Sequence, residues 1–508
     1  MMKTQLQNYL FDRDDFFPEI KNQISKNVLL KQHPLQNSRC VLLDTFDWRL
    51  FNKNFYLYFC DSELSLVAFD FHVPLIRLHI EQLPGFANEL PYSPLKDQLK
   101  FLAGERALLP RGEFEEKLQR YALLNNDQKT VAWLDDISYR VEGGGALRVL
   151  QARAVRGYPG AFQKLQRALR VHLASLDEKE KVVRLLQLCG QNAGDYSSKL
   201  IISLNKDQHA FDAAVQIFDV LLQKMMMNIE GIKKDLDAEF LHDFRVSIRR
   251  TRTGQSQFKS LFPPVIARHR QNFSWLAKKS NALRDLDVYL QRRAYYESLL
   301  PPSLLDGAGL FFAEIQKQRE QQWTSFCRIL DSKKFQNIIT SWREFLQSCD
   351  ASEDEQPTAF VFARNSIRKR YDKVLTLGAG IDEQAPAQKL HRLRIECKKL
   401  RYLLEFFVSL FPAKKINTAI NHLKNLQDYL GTLNDLAMQQ SYLNDFLQHY
   451  SQKKDKSLLS AAAIGALISQ LHHEQEQMRK KFGKVFARFT GKSNAALFKS
   501  LLDIGVEN

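Results

Sequence analysis

A chain of 508 residues with 44% hydrophobic and 11% aromatic side chains can bury two or three cores, and it is too apolar to be disordered throughout. Its 73 Lys+Arg outweigh 57 Asp+Glu, and the formal charge of +16 favours a polyanionic partner without saying which. The longest apolar run, "AAAIGALI" at 461–468, is too short to cross a bilayer, and the start, "MMKTQLQNYLFDRDDFF", has no signal-peptide core, so a cytoplasmic protein is expected. Cys40, Cys60, Cys189, Cys327, Cys349 and Cys397 form no CxxC pair and no metal-ligand spacing, and they read as free thiols in a reducing compartment.

Residues 1–175 read as a mixed α and β domain. "RCVLLDTFDWRLFNKNFYLYFC" (39–60) predicts two strands around a turn, and Asn125-Asn126-Asp127 between apolar segments predicts a hairpin. Gly143-Gly144-Gly145 marks a further turn before the strand-like "ALRVLQARAV", and "AFQKLQRALRVHLASL" (161–176) takes up helical periodicity. Residues 176–208 read as a connector containing "GDYSSKL" (194–200). From 209 the pattern is that of long helices, with an acidic loop at 349–357 separating 209–348 from 358–490 and a tail at 491–508.

The two helical halves repeat. "HDFRVSIRRTR" (242–252) and "HRLRIECKKLR" (391–401) align at an offset of 149, which pairs His242 with His391, Arg245 with Arg394, Arg249 with Lys398, Arg250 with Lys399 and Arg252 with Arg401. Phe258 then meets Phe407 and "LFP" at 261–263 meets "LFP" at 410–412; one residue of slippage later, "ALRDLD" meets "TLNDLA", which pairs Asp285 with Asp435. The pattern implies a duplicated helical bundle with pseudo-two-fold symmetry.

At about 100° per residue, the His and the basic positions three, seven and ten residues after it fall within an arc of roughly 80°. Phe244, Ile248, Phe258 and Phe262, like Leu393, Cys397, Phe407 and Phe411, fall on the far side and are expected to pack the bundles. A basic stripe on one helix is usually a solvated face. Here only Asp243 and Glu396 offer local neutralisation, and the duplication supplies a second stripe able to converge on the first. Lys278, Lys279, Arg284, Lys424 and "RNSIRKR" (364–370, with Arg368) add charge nearby. The histidines lack carboxylate or cysteine partners at metal spacing, so no metal is expected, and hydrogen bonding to phosphate oxygens is the favoured role. Asp285 and Asp435 are expected to orient arginines.

These motifs resemble the CHAD domain, the conserved-histidine α-helical domain, whose repeats begin H-x-x-R-x-x-x-[RK]-[RK]-x-R and continue to F-P and an [RN]-D element. The resemblance spans about 209–490. It implies two four-helix bundles around a basic channel that binds inorganic polyphosphate, with His242, Arg245, Arg249, Arg250, Arg252, Lys278, Lys279, Arg284, Arg368, His391, Arg394, Lys398, Lys399, Arg401 and Lys424 as candidate contacts. In the amino-terminal region "LLDTFDWRLFNKNFYL" (42–57) and "VRGYPGAF" (155–162) resemble a CYTH-like domain, so the whole reads as an α+β, β-rich domain followed by an all-α one. Active CYTH enzymes hold divalent metal with an E-x-E-x-K strand near the start; "MMKTQLQNYLF" has no acidic pair, and "LVAFDF" and "RVLQARAV" are poor in carboxylates. A degenerate, non-catalytic domain without cofactor follows. The expected function is polyphosphate binding, with granule targeting. The alternatives are a CYTH-type triphosphatase that uses the helical half for targeting, and RNA or DNA binding. The aromatics fall on the packing side rather than among the basic residues, which argues against single-strand nucleic acid.

Overall fold

The computed structural model describes residues 6–11, 24, 28–70, 74–350, 357–382, 384–450 and 458–503, with the side chains of 449 and 450 left aside. The chain divides into two units, 1–198 and 199–508. Helices of ten residues or more are numbered.

Unit 1 is built on one antiparallel sheet. Its strands are β1 (Leu6–Leu10), β2 (Leu29–Gln32), β3 (Gln36–Asp44), β4 (Phe55–Cys60), β5 (Glu63–Ala68), β6 (Pro74–His79), β7 (Leu109–Leu124), β8 (Thr130–Arg140), β9 (Ala146–Ala154) and β10 (Ser175–Leu176). The order is β10-β1-β9-β8-β7-β3-β4-β5-β6, with β2 also on β7. The expected hairpin forms between β7 and β8: Asn125 Oδ1 accepts the amides of Asp127 (3.1 Å) and Lys129 (2.9 Å), and Gln128 takes a positive φ of 60°. Three helices cover the sheet. α1 (Pro94–Ala103) sets Leu95, Leu99 and Leu102 in a core with Leu57, Leu64 and Leu66. α2 (Pro159–Arg170) sets Phe162, Leu165 and Leu169 in a second core with Tyr121, Leu134 and Leu150. α3 (Glu178–Leu188) packs Val182, Leu185 and Leu186 with Leu42, Phe114, Ile137 and Tyr139. α3 thus lies within the stretch 176–208, which begins on the last residue of β10, and the boundary between units falls at 198/199.

One expectation is corrected. Cys40 and Cys60 face each other across β3 and β4 and are disulfide-bonded, whereas Cys189, Cys327, Cys349 and Cys397 are free. Strand register brings the pair together, and no sequence spacing announces it.

Unit 2 is helical: α4 (Ala210–Met227), α5 (Ala238–Gln257), α6 (Ile266–Lys279), α7 (Asn281–Gln291), α8 (Leu305–Leu330), α9 (Lys333–Ser348), α10 (Ala359–Ala379), α11 (Ala387–Phe406), α12 (Ala413–Tyr450), α13 (Leu458–Thr490) and α14 (Lys492–Leu502). The two motif helices, α5 and α11, are each 20 residues long and end on the paired Phe258 and Phe407. The carboxylate of Asp237 starts α5 by accepting the amides of Glu239 (2.9 Å) and Phe240 (3.2 Å); Pro386 precedes α11. Two contacts join residues to their own counterparts 149 positions away. His209 bridges Thr358 in antiparallel pairing, and the rings of Phe258 and Phe407 lie 5.8 Å apart. Self-pairing of equivalents is what a local two-fold axis requires.

The eight apolar positions assigned to packing are all buried. Beyond the motif helices the halves diverge. α6 and α7 break at Ser280, while the corresponding α12 runs unbroken for 38 residues. Residues 351–356 of the expected acidic loop lie outside the described residues. Residues 492–502, within the expected tail, form α14, whose Phe498 stacks on Tyr371 at 4.0 Å. Among the described residues no helix is long and apolar enough to cross a membrane.

Candidate anion-binding site

Arg245, Arg249, Arg394 and Lys398 project from the basic edges of α5 and α11, and Arg284 joins them from α7. Arg249 is their common neighbour: its charge acts on Arg245 and Arg284 of the first repeat and on Arg394 and Lys398 of the second. The two stripes therefore converge. Arg249 makes no hydrogen bond or ion pair among the described residues, and its Nε is buried without a partner.

The cluster holds its charge at a cost. Burial, then the neighbouring Arg249, lowers Arg245 to about 10, with Asp285 opposing and Arg284 adding to the fall. Arg284 and Arg394 are lowered chiefly by burial, against nearby carboxylates. Lys398 falls furthest, to about 7, through burial first, then Arg394 and Arg249; Asp435 opposes the fall and Arg401 adds to it. A site that depresses four cations in this way is one that a bound anion would relieve.

Anchoring differs between repeats. Arg245 Nη1 donates to Ala277 O (3.2 Å), Ser280 Oγ (2.6 Å) and Asn281 Oδ1 (2.9 Å), the acceptors left at the break between α6 and α7. Arg394 Nη2 lies 3.4 Å from Asp435 Oδ1. Among the described residues Asp285 makes no such bond but acts electrostatically on Arg245 and Arg284. His242 is half-buried at the head of its stripe; His391 is exposed, with Nδ1 2.8 Å from Asn434 Oδ1, beside a cavity of about 310 Å³.

Other candidates lie elsewhere or are engaged. Arg250 is buried and donates to Glu405 at 2.7 Å; Arg401 pairs with the same carboxylate at 3.2 Å. Lys399 donates to Glu396 (2.9 Å), which also holds Arg370. Arg368 pairs with Asp503 at 2.8 Å, at the end of α14. Arg252 is neighboured by Arg270, and its Nε is buried without a partner among the described residues. Lys278, Lys279 and Lys424 are exposed. The sequence reading missed Glu405, Tyr402 and Arg370 as partners of the motif. The four-residue step from Arg401 to Glu405 was the available signal.

Unit 1 encloses a separate cavity of about 270 Å³ lined by Tyr56, Tyr58, Glu116, Asp135, Tyr139, Glu178 and Lys181, among others. The strands "LVAFDF" and "RVLQARAV" bring no carboxylate to this cavity, but Glu116 and Asp135 enter it from β7 and β8 and Glu178 from the start of α3. Each is engaged: Glu116 by Tyr58 (2.8 Å), Asp135 by Arg120 (2.8 Å) and Arg153, and Glu178 by Asn8 (2.8 Å), Tyr56 (2.5 Å) and Lys181 (2.6 Å). An E-x-E-x-K spacing does occur, at Glu113, Glu115 and Lys117 within β7, but Glu113 and Glu115 are exposed, and Glu113 pairs with Arg39. Among the described residues no group of three or more His, Cys, Asp or Glu could hold a metal ion, so these side chains do not fit a divalent metal.

Residues 216–444 match the family model described as CHAD domain, and the match does not extend into unit 1. Among solved structures the chain is similar to the crystal structure of the CHAD domain from the plant Ricinus communis, at 24% identity and a TM-score of 0.49, covering 57% of this chain and 95% of that one. It is also similar to PptA from Streptomyces chartreusis, at 14% identity and a TM-score of 0.44, covering 55% and 99%. No curated protein matches. The chain thus carries a CHAD domain at residues 216–444.

Proposed function

We propose that unit 2 binds inorganic polyphosphate, without catalysis, across the cluster formed by Arg245, Arg249, Arg284, Arg394 and Lys398. The supporting observation is Arg249, a half-buried arginine whose buried Nε has no protein partner among the described residues and which neighbours cations of both repeats. A base-free polyanion needs guanidinium and ammonium donors, with Arg able to fork across two phosphate oxygens, and needs no stacking platform. The aromatic side chains of the motif helices, Phe240, Phe244, Tyr402 and Phe406, are all buried, Tyr402 beneath Arg250 and Arg401, so none of them offers an open face for bases to stack on. Unit 1 we read as a degenerate CYTH-like domain whose interior carboxylates are neutralised by Arg, Lys and Tyr, and polyphosphate granules as the setting.

A salt series with long-chain polyphosphate and the full-length protein tests this. By analogy with single-stranded nucleic acid, five cations each meeting a phosphate predict a loss of affinity on the order of 10²-fold between about 50 and 200 mM salt. Competition with RNA at equal phosphate concentration and fixed salt should leave polyphosphate bound; RNA prevailing would overturn the reading.

A further inference from the structure

Four of the eight basic motif positions in the two repeats fall outside the convergent cluster, and two of those four meet on one carboxylate. Glu405, in the last turn of α11, accepts a hydrogen bond from Arg250 Nη2 of the first repeat on Oε2 (2.7 Å) and forms an ion pair with Arg401 of the second, whose Nε lies 3.2 Å from Oε1. Both guanidiniums also lie over the ring of buried Tyr402, at 5.8 and 5.6 Å. Arg250 directly follows Arg249, and Arg401 lies one turn beyond Lys398, so this knot ties the two stripes together just past their meeting point. At the position equivalent to Glu405 the first repeat carries Ser256, so the knot is single and lies across the repeats.

We propose that Glu405 is a positioning residue: by holding Arg250 and Arg401 together it sets the separation at which Arg249 and Lys398 present their charges to one ligand. The proposal rests on the polyphosphate reading of the cluster. It also runs against simple electrostatics, because a carboxylate beside a polyanion site should repel the ligand, and its removal should then tighten binding.

The test measures binding of long-chain polyphosphate to the full-length protein, with unfolding curves run in parallel. Glu405→Asp keeps the charge and shortens the arm; Glu405→Gln keeps the shape and removes the charge. Positioning predicts that both raise Kd, by about tenfold, within the range seen for coupled network residues, while the salt slope stays at the wild-type value because the ligand-facing cations are intact. Adding Arg250→Gln to Glu405→Gln should then change Kd by less than about twofold. An unchanged Kd in Glu405→Asp or a lowered Kd in Glu405→Gln overturns the proposal, as does a steeper salt slope, which would mean that Arg250 or Arg401 has joined the ligand. Should Glu405→Gln not fold, the charge-conserving Asp variant decides alone. Failure of the wild-type protein to bind polyphosphate removes the reading itself, an outcome separate from any effect of Glu405.

Discussion

The two repeats place basic side chains at the same helical positions but surround them differently. In the second repeat Glu396 and Glu405 neutralise Lys399, Arg370, Arg401 and Arg250; the first repeat has Ser247 and Ser256 at those positions. Arg245 is anchored on uncharged acceptors at a helix break, whereas Arg394 faces Asp435 on a continuous helix. At the central position the first repeat has an arginine, Arg249, and the second a lysine, Lys398, held down to about 7. Duplication thus preserved where the charge points but not how firmly it is held. The first stripe is a fixed donor, and the second is partly compensated and titratable.

Reversing the shared neighbour should break this arrangement most severely. Arg249→Glu places a carboxylate against four cations in both repeats, and a loss of polyphosphate affinity of about 10²-fold is expected in a binding titration, because the charge is reversed at the half-buried centre of the cluster. Reversing Arg245 and Arg249 together should cost about as much as reversing Arg394 and Lys398 when measured near pH 6, where Lys398 is charged. Near pH 8.5 the second pair should cost less, because Lys398 has then largely lost its proton before mutation.

The same asymmetry sets a pH dependence. Because Lys398 sits at about 7, it is cationic below that pH and neutral above it, and a bound polyanion favours the cationic form. Binding should therefore take up a proton, and affinity should fall as pH rises through 7, by up to about tenfold. Lys398→Arg should flatten that profile and tighten binding at pH 8, since a guanidinium stays charged. The smallest effects are expected at candidates outside the cluster. Arg368→Gln, which loses the exposed pair with Asp503, and Lys424→Gln should each change affinity less than about twofold and alter stability by under about 1 kcal/mol.

Much of this was legible in the sequence because duplication writes the same physical demand twice. The offset of 149 reappears in the equal lengths of α5 and α11 and in the self-pairing of His209 with Thr358 and of Phe258 with Phe407. Helical periodicity placed Phe244, Ile248, Leu393 and Cys397 in the core. It also set Arg250 and Lys399 off the stripe, since eight residues at 100° each carry them round to its other edge, and their partners lay out of reach of local pattern. The bond from Arg250 to Glu405 spans 155 residues and exists only once the repeats pack. Strand register hid the Cys40–Cys60 bond in the same way, and the inward turn of Glu116 and Asp135 depended on which face of β7 and β8 closes the cavity.

The stoichiometry of short-chain polyphosphate binding, measured by calorimetry on the wild-type protein and on Arg249→Gln and Arg394→Gln, tests most directly whether the repeats serve one ligand. A single site per chain that both substitutions weaken is the predicted result. Two sites per chain, each lost to one substitution and untouched by the other, would contradict it.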